Sequence, residues 1–167
     1  MKMLDKALLN DAEKTLFEAC EVGNLEEVKK ILNEGVNLEA RNIEGYTALM
    51  AAIHGGQAEA ARLLIENGAD VNARKGNGDS VLIFAISKGQ YEVARALIEN
   101  GTDIHAKNYL DETALIKAAQ AHAPAELIKL LLEKGADVRS VDLHVKSALS
   151  YASEQGNKEL KELLLFR

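Results

Sequence analysis

The stretch Gly45-Tyr46-Thr47-Ala48-Leu49-Met50-Ala51-Ala52 decides the reading of this chain, because it returns. At an offset of 33 residues stands Gly78-Asp79-Ser80-Val81-Leu82-Ile83-Phe84-Ala85, and the same offset again leads to Asp111-Glu112-Thr113-Ala114-Leu115-Ile116-Lys117-Ala118. A step of 34 residues gives Val145-Lys146-Ser147-Ala148-Leu149-Ser150-Tyr151-Ala152, and 33 residues backwards from the first copy lies Leu16-Phe17-Glu18-Ala19. A second block recurs in phase. Leu64-Ile65-Glu66-Asn67-Gly68-Ala69-Asp70-Val71-Asn72-Ala73 is followed by Leu97-Ile98-Glu99-Asn100-Gly101-Thr102-Asp103-Ile104-His105-Ala106, and then by Leu131-Leu132-Glu133-Lys134-Gly135-Ala136-Asp137-Val138-Arg139-Ser140. Two linked blocks at a constant period over nearly the whole chain mark an array of about five repeats.

Each repeat carries the signals of two helices. Thr47, Ser80, Thr113 and Ser147 stand where a hydroxyl can cap a first helix. Gly23, Gly56, Gly89 and Gly156 fall between the two helices, and Gly35, Gly68, Gly101 and Gly135 follow the second, where a left-handed backbone lets the chain reverse. Ala19, Ala52, Ala85, Ala118 and Ala152 recur where a small side chain lets neighbouring helices approach. Leu63-Leu64-Ile65, Ala96-Leu97-Ile98 and Leu130-Leu131-Leu132 supply the apolar stripe. The outermost repeats turn polar in register. Glu27 and Lys30 stand in the first, and Ser150, Ser153 and Lys161 in the last, where interior repeats are apolar. That pattern is expected of capping repeats and of a complete array.

Composition narrows the function. With 167 residues, 47% of them apolar, the chain can bury a substantial core. Apolar runs such as Val81 to Ile86 are too short for a membrane span, and the N-terminus lacks a signal-peptide pattern, so an intracellular, cytoplasmic protein is expected. Cys20 is the single cysteine and has no partner for an internal disulfide, in accord with a reducing compartment. The net charge of −6, with acids and bases interspersed, disfavours nucleic acid as a partner. Aromatic residues make up only 4% of the chain, so small side chains must pack closely.

The two blocks resemble the ankyrin repeat family, with its T-P-L-H start and G-A-D-V-N end. The resemblance covers residues 11–167 and implies an all-α fold with short β-turn or hairpin fingers, an ankyrin-repeat solenoid of helix-turn-helix units. Residues 1–10 are read as a lead segment with a short helix, and 11–167 as one domain with repeats at 11–41, 42–74, 75–107, 108–141 and 142–167. The motif proline is replaced by Ala48, Val81, Ala114 and Ala148, and its histidine by Met50, Ile83, Ile116 and Ser150, so helix starts are set less rigidly than in consensus arrays. The fourth repeat has an extra residue and no glycine between its helices, reading Gln120-Ala121-His122-Ala123-Pro124, and a distorted or longer turn is expected there.

No catalytic, cofactor or metal constellation emerges: there is no H-E-x-x-H, G-x-S-x-G or phosphate-loop motif. Lys75-Gly76-Asn77-Gly78 has the glycines of a phosphate cradle but falls at a repeat junction, where glycines serve turns. His54, His105, His122 and His144 lie at non-equivalent positions, which does not favour zinc. Asp70, Asp103 and Asp137 recur in register and read as turn-stabilising rather than as general acids, and Cys20 reads as a packing residue.

The resemblance implies binding through the turn tips and the concave face of the first helices. Carried over by position, the tips include Arg41, Ile43, Glu44 and Tyr46; Arg74, Lys75, Asn77 and Asp79; Lys107, Tyr109, Leu110 and Glu112; and Leu143, His144 and Lys146. On the first helices, Phe84, Lys88, Lys117 and Tyr151 belong to the candidate surface. Phe84 and Tyr151 are either accessible anchors or gap-fillers between helices, and the sequence leaves both readings open. Ile43, Tyr109 and Leu143 share one tip position. A non-catalytic, monomeric module for a protein partner is expected, with no cofactor, nucleic acid or membrane partner. The alternatives are a bacterial effector, or an inhibitor or antitoxin-like protein, acting on one specific target enzyme, and a self-assembling structural protein, favoured by the apolar run Leu163-Leu164-Leu165-Phe166.

Overall fold

The computed structural model describes residues 9–166, which fall into two compact units divided between Asp70 and Val71. The lead segment assigned to residues 1–10 therefore lies outside the described residues, apart from Leu9 and Asn10. The first unit holds α1 (Asp11–Val22), α2 (Leu25–Glu34), α3 (Ala48–His54) and α4 (Ala58–Glu66). The second holds α5 (Val81–Ser87), α6 (Tyr91–Glu99), α7 (Ala114–Gln120), α8 (Ala125–Glu133), α9 (Ala148–Glu154) and α10 (Lys158–Leu165). Among the described residues, strand-type pairing is limited to one antiparallel bridge between Arg74 and Ser80.

The helices start where the hydroxyls stand. Thr47, Ser80, Thr113 and Ser147 each accept from the backbone N–H three residues on, at Met50, Ile83, Ile116 and Ser150. Such a cap satisfies one of the N–H groups that a helix start leaves without an intrahelical partner. α1 begins with a full capping box between Asn10 and Glu13.

The reversal between paired helices is closed by one hydrogen bond repeated in register. The N–H groups of Asn24, Gln57, Gln90, Ala123 and Asn157 donate to the carbonyls of Ala19, Ala52, Ala85, Ala118 and Ala152. The residue before each donor is left-handed: glycine in four repeats, but His122 in the fourth, with φ 53°. Pro124 is the added residue and stands directly before α8. The turn at 120–124 is thus longer, as its sequence suggests, yet it is not distorted, because the repeated hydrogen bond survives and the insertion is absorbed after it.

Within each unit first helices stack on first helices and second on second: α1 on α3 and α2 on α4, then α5, α7 and α9 in one layer and α6, α8 and α10 in the other. Ala52, Ala85, Ala118 and Ala152 are fully buried between these layers, flanked by Leu49, Leu82 and Leu115 in register. Each fully buried leucine contributes about 1.5–3 kcal/mol. Of the polar substitutions noted in the sequence, Glu27, Ser150 and Lys161 are half-buried and Lys30 and Ser153 are exposed. Lys30 is exposed and pairs with Glu27 at 3.1 Å, and Ser153 is exposed where Ile53 and Ile86 are buried.

One close approach in the first unit is set by missing atoms. A Cβ on Gly55 would stand 2.0 Å from the carbonyl oxygen of Glu21, at the end of α1. Gly55→Ala is therefore expected to destabilise the chain by about 1–3 kcal/mol, read from the urea midpoint. His122→Gly should act in the opposite sense, stabilising by about 1 kcal/mol, because glycine takes the left-handed conformation without the Cβ penalty. An unchanged midpoint for either variant would contradict the assigned packing or turn geometry.

Candidate functional site

Each junction between repeats forms a finger. In the first unit the N–H of Gly45 donates to Asn42 O and that of Asn42 to Tyr46 O. The second unit repeats the pattern three times. Gly78, Asp111 and Val145 donate to the carbonyls of Lys75, Asn108 and Asp142, whose own N–H groups donate to Asp79, Glu112 and Lys146. A side-chain oxygen at one register position braces three of the four fingers from within, and in the finger at 75–79 Asn77 Oδ1 accepts from the Asp79 N–H at 3.2 Å. Asn42 Oδ1 accepts from the N–H groups of Glu44 and Tyr46, Asn108 Oδ1 from Leu110 and Glu112, and Asp142 Oδ1 from His144 and Lys146, all at 2.8–3.0 Å. These bonds satisfy backbone donors that the tight turn would otherwise leave without partners. Sequence reasoning did not single out these three positions as finger braces, although Asn and Asp in register at 42, 108 and 142 are the signal that marks them.

Arginine closes two fingers from behind. Arg41 Nη1 donates to Gly45 O at 2.8 Å, and Arg74 Nη1 donates to Gly78 O at 3.1 Å and to Lys107 O at 2.7 Å. The bond to Lys107 O ties one finger of the second unit to the next.

Beneath the fingers of the second unit lies a polar network. Asn108 Nδ2 donates to Asp79 Oδ1 at 2.8 Å and to Glu112 Oε2 at 2.7 Å, while Asn77 Nδ2 donates to Asp79 Oδ2 at 2.7 Å. Lys117 Nζ approaches Glu112 Oε2 to 2.8 Å, and Gln120 Nε2 donates to Glu112 Oε1 at 2.8 Å. Burial opposes ionisation of Glu112, but hydrogen bonds from Lys117, Asn108 and Gln120 outweigh it and hold the carboxyl below its usual range. Around Asp142, burial likewise opposes the charge, and donation from Tyr151, Lys146 and His144 overcomes it. Tyr151 Oη donates to Asp142 Oδ2 at 2.5 Å; this bond first, and burial second, push the phenol up.

These contacts redistribute the residues singled out from the sequence. Phe84 is not an accessible anchor, being 2% exposed, with Lys75 Nζ 4.2 Å and Lys88 Nζ 5.7 Å from its ring centre. It fills the space beside α5, and its contribution to a surface is to hold two ammonium groups by cation–π attraction. Asp79 is likewise buried, with its carboxylate committed to Asn77 and Asn108, so it braces the fingers from inside. Tyr151 is half-buried and latched to Asp142, under Lys146, which itself reaches Glu154 at 2.8 Å. Lys117 is held by Glu112 and Gln120. Tyr46 is half-buried against the His54 ring, with centroids 5.7 Å apart.

Of the residues singled out, Arg41, Arg74, Asn77, Lys88 and Lys107 are exposed, and with them stands a set of apolar side chains. Ile43 is 87% exposed on the finger of the first unit. In the second unit Tyr109 (73%), Leu110 (49%), Leu143 (59%) and Val145 (78%) project from two successive fingers, beside the exposed Lys107. The Leu143 N–H donates to Leu110 O at 2.9 Å, so these two fingers are joined backbone to backbone. The Tyr109 ring lies against the preceding finger, where a Cβ on Gly78 would come within 2.6 Å of it. Val145 was not singled out as a contact residue, although its alignment with Gly45 and Gly78 marks it as a side chain where the turn favours none.

Three further titratable groups take structural parts. Asp103 and Asp137 accept from the N–H groups of His105 and Arg139 at 2.9 Å, so both hold turns. Cys20 is fully buried, and burial pushes its thiol up to about 12. Among the described residues no three His, Cys, Asp or Glu side chains gather as a metal site, and no helix is long and apolar enough to cross a membrane.

The Glu112 network yields a pH signature. A carboxyl held below its unfolded value adds stability that is present above that value and lost as pH falls through the lower folded one. Glu112→Gln should cost about 1–2 kcal/mol in urea unfolding at neutral pH. The gap between wild type and variant should narrow as the solution is acidified below about 4.5, the ordinary glutamate value. A gap independent of pH would mean that the Glu112 charge contributes nothing to the network.

Comparison with known proteins agrees with this architecture. Residues 16–108 match ankyrin repeats in three copies, and residues 111–143 match a further single ankyrin repeat. A search of curated proteins found no match. With more than half of its length matched and its helix pairs built alike in both units, the chain belongs to the ankyrin repeat family, whose members generally mediate protein–protein interaction.

Proposed function

We propose that the chain is a non-catalytic binding module for a protein partner, contacting it through the finger tips and the adjoining faces of the first helices. The observation that carries this reading is the contrast within the last two fingers of the second unit. The base is rigidly hydrogen-bonded and its carboxylates are used internally, while the tip turns apolar side chains outward. Folding alone gives no reason to expose Tyr109 and Leu143, and a preformed display of this kind lowers the ordering cost of association. The candidate contacts are accordingly Arg41, Ile43, Arg74, Lys88, Lys107, Tyr109, Leu110 and Leu143, with Tyr46, Asn77, Lys117 and Tyr151 at the margin and Phe84 and Asp79 as supports. A cytoplasmic, monomeric protein fits this role.

The test is affinity capture from source-cell lysate, comparing wild type with a Tyr109→Ala/Leu143→Ala variant whose fold is checked by circular dichroism. Capture of a discrete protein by wild type and its loss with the folded variant is the expected result. Equal capture by both would remove the fingers of the second unit from the contact surface.

A second reading, self-association, is favoured by one observation. Leu165 and Phe166 are exposed beside an open groove of about 360 Å³ lined by Lys129, Leu132, Glu159, Glu162, Leu163 and Phe166. Sedimentation equilibrium over a wide concentration range decides it, since a concentration-independent monomer mass excludes this reading.

A further inference from the structure

We propose that Asn77 is a modification site: when its finger opens, Asn77 deamidates spontaneously, and the product cannot be built back into the closed finger.

Asparagine followed by glycine carries its own nucleophile. No side chain shields the glycine nitrogen, which gives its proton to a solvent base and attacks the asparagine Cγ. The new N–Cγ bond places the negative charge on Oδ1. Collapse of that intermediate breaks the Cγ–Nδ2 bond and expels ammonia, which takes its proton from water. Water then opens the cyclic imide. Entry at Cγ gives aspartate in the ordinary chain, and entry at the backbone carbonyl carbon gives a β-linked aspartate, with the chain routed through Cγ. The net change converts an amide and water into a carboxylate and ammonium, so chain and solvent supply every reactant.

The pair occurs three times, as Asn67-Gly68, Asn77-Gly78 and Asn100-Gly101, and the structure sets the three apart. Asn67 and Asn100 end α4 and α6 at ψ 12° and 14°. At a ψ near zero the next nitrogen eclipses the residue's own nitrogen and not its Cβ, so the imide ring cannot close. Each side-chain amide also donates to the carbonyl of Leu63 or Ala96 at 2.8 Å, and reaction there needs the end of a packed helix to unwind. Asn77 stands in a finger tip, exposed and preceded by Gly76, around which the space is open. The closed finger protects it too. The Gly78 N–H is given to Lys75 O at 3.0 Å, and the Asn77 amide is held by Asp79. Opening that tip disturbs no helix, however, and the ring of Tyr109 is what rests on Gly78 from the next finger.

The product is what makes Asn77 different. In the closed finger Asn77 Nδ2 donates to Asp79 Oδ2 at 2.7 Å, and Asp79 is only 8% exposed. Deamidation replaces that donor by a second carboxylate, and two such charges at hydrogen-bond distance repel. Asp79 in turn accepts from Asn108, which also donates to Glu112, so the loss reaches the network beneath the next finger. The β-linked form also lengthens the backbone inside the turn closed by the Lys75 N–H to Asp79 O bond. At Asn67 and Asn100, both exposed, a new carboxylate turns to water. Each opening at Asn77 therefore carries a chance of irreversible loss of the closed finger.

The experiment is incubation of the full chain in mildly alkaline buffer at body temperature, followed by tryptic peptide mass mapping over time. The peptide Gly76–Lys88 contains no asparagine or glutamine besides Asn77, while Asn67 and Asn100 fall in Leu63–Arg74 and Ala96–Lys107. Conversion of amide to acid should appear in Gly76–Lys88 ahead of the pairs at 67 and 100. Tyr109→Ala, which frees Gly78, should speed it several-fold and leave the other two rates unchanged. The converted chain, separated by its added negative charge, should unfold at a lower urea midpoint. Asn77→Asp should reproduce that shift, and Asn67→Asp and Asn100→Asp should not. Faster conversion at 67 or 100, no conversion at 77 even in Tyr109→Ala, or an unchanged midpoint for Asn77→Asp would each overturn the inference.

Discussion

A helix of seven residues is too short to persist in water, and α3, α5, α7 and α9 are all of that length. Nothing in these segments stands on its own; each holds its shape because another helix lies against it. That dependence explains why the register is kept so strictly. The buried alanine column admits a neighbouring backbone, the same alanines supply the carbonyl that closes the reversal, and a hydroxyl cap opens each first helix. One residue type at one position thus serves both packing and backbone hydrogen bonding. An insertion is tolerated only where it leaves that position alone, as Pro124 does.

The fingers obey a different economy. They have little core of their own, and their stiffness comes from polar groups. Asn42, Asn108 and Asp142 each satisfy two backbone donors, and in the second unit Asp79, Glu112 and Asn108 satisfy one another at less than a tenth of full exposure. Buried polar groups cost little when every partner is present and a great deal when one is missing. The network therefore holds the fingers in one arrangement, leaving the tips free to carry residues chosen for something other than stability.

How much of this was legible in advance follows from what a repeat encodes. Period, helix pairing, caps and the alanine column can be read from residues that recur, because every copy must solve the same packing problem. Residues that differ between copies carry no such guide. Ala51, Phe84, Lys117 and Tyr151 occupy one register, and alignment alone could not tell that Phe84 is buried under two lysines while Tyr151 is latched to a carboxylate. Asp79 and Glu112 read as tip residues by position, yet their carboxylates turn inward because Asn77, Asn108 and Lys117 happen to be there to receive them. Gly55 escaped notice beside Gly56, since its role is to leave room for a carbonyl of α1, and a sequence does not display a space. At the tips, exposure of Ile43, Tyr109 and Leu143 follows from turn geometry and was legible, whereas the backbone clasp between two fingers was not.

Cys20 gives the first unit a reporter of its own. The thiol sits in the α1 interior with no exposed surface, and burial keeps it protonated far above neutral pH. Alkylating reagents attack the thiolate, so the closed chain offers them neither access nor the reactive form. Labelling at neutral pH thus proceeds only through molecules in which the α1 packing has opened. With no other cysteine in the sequence to confuse the signal, the rate of modification counts those openings and gives the breathing of this unit a clock built into the native chain.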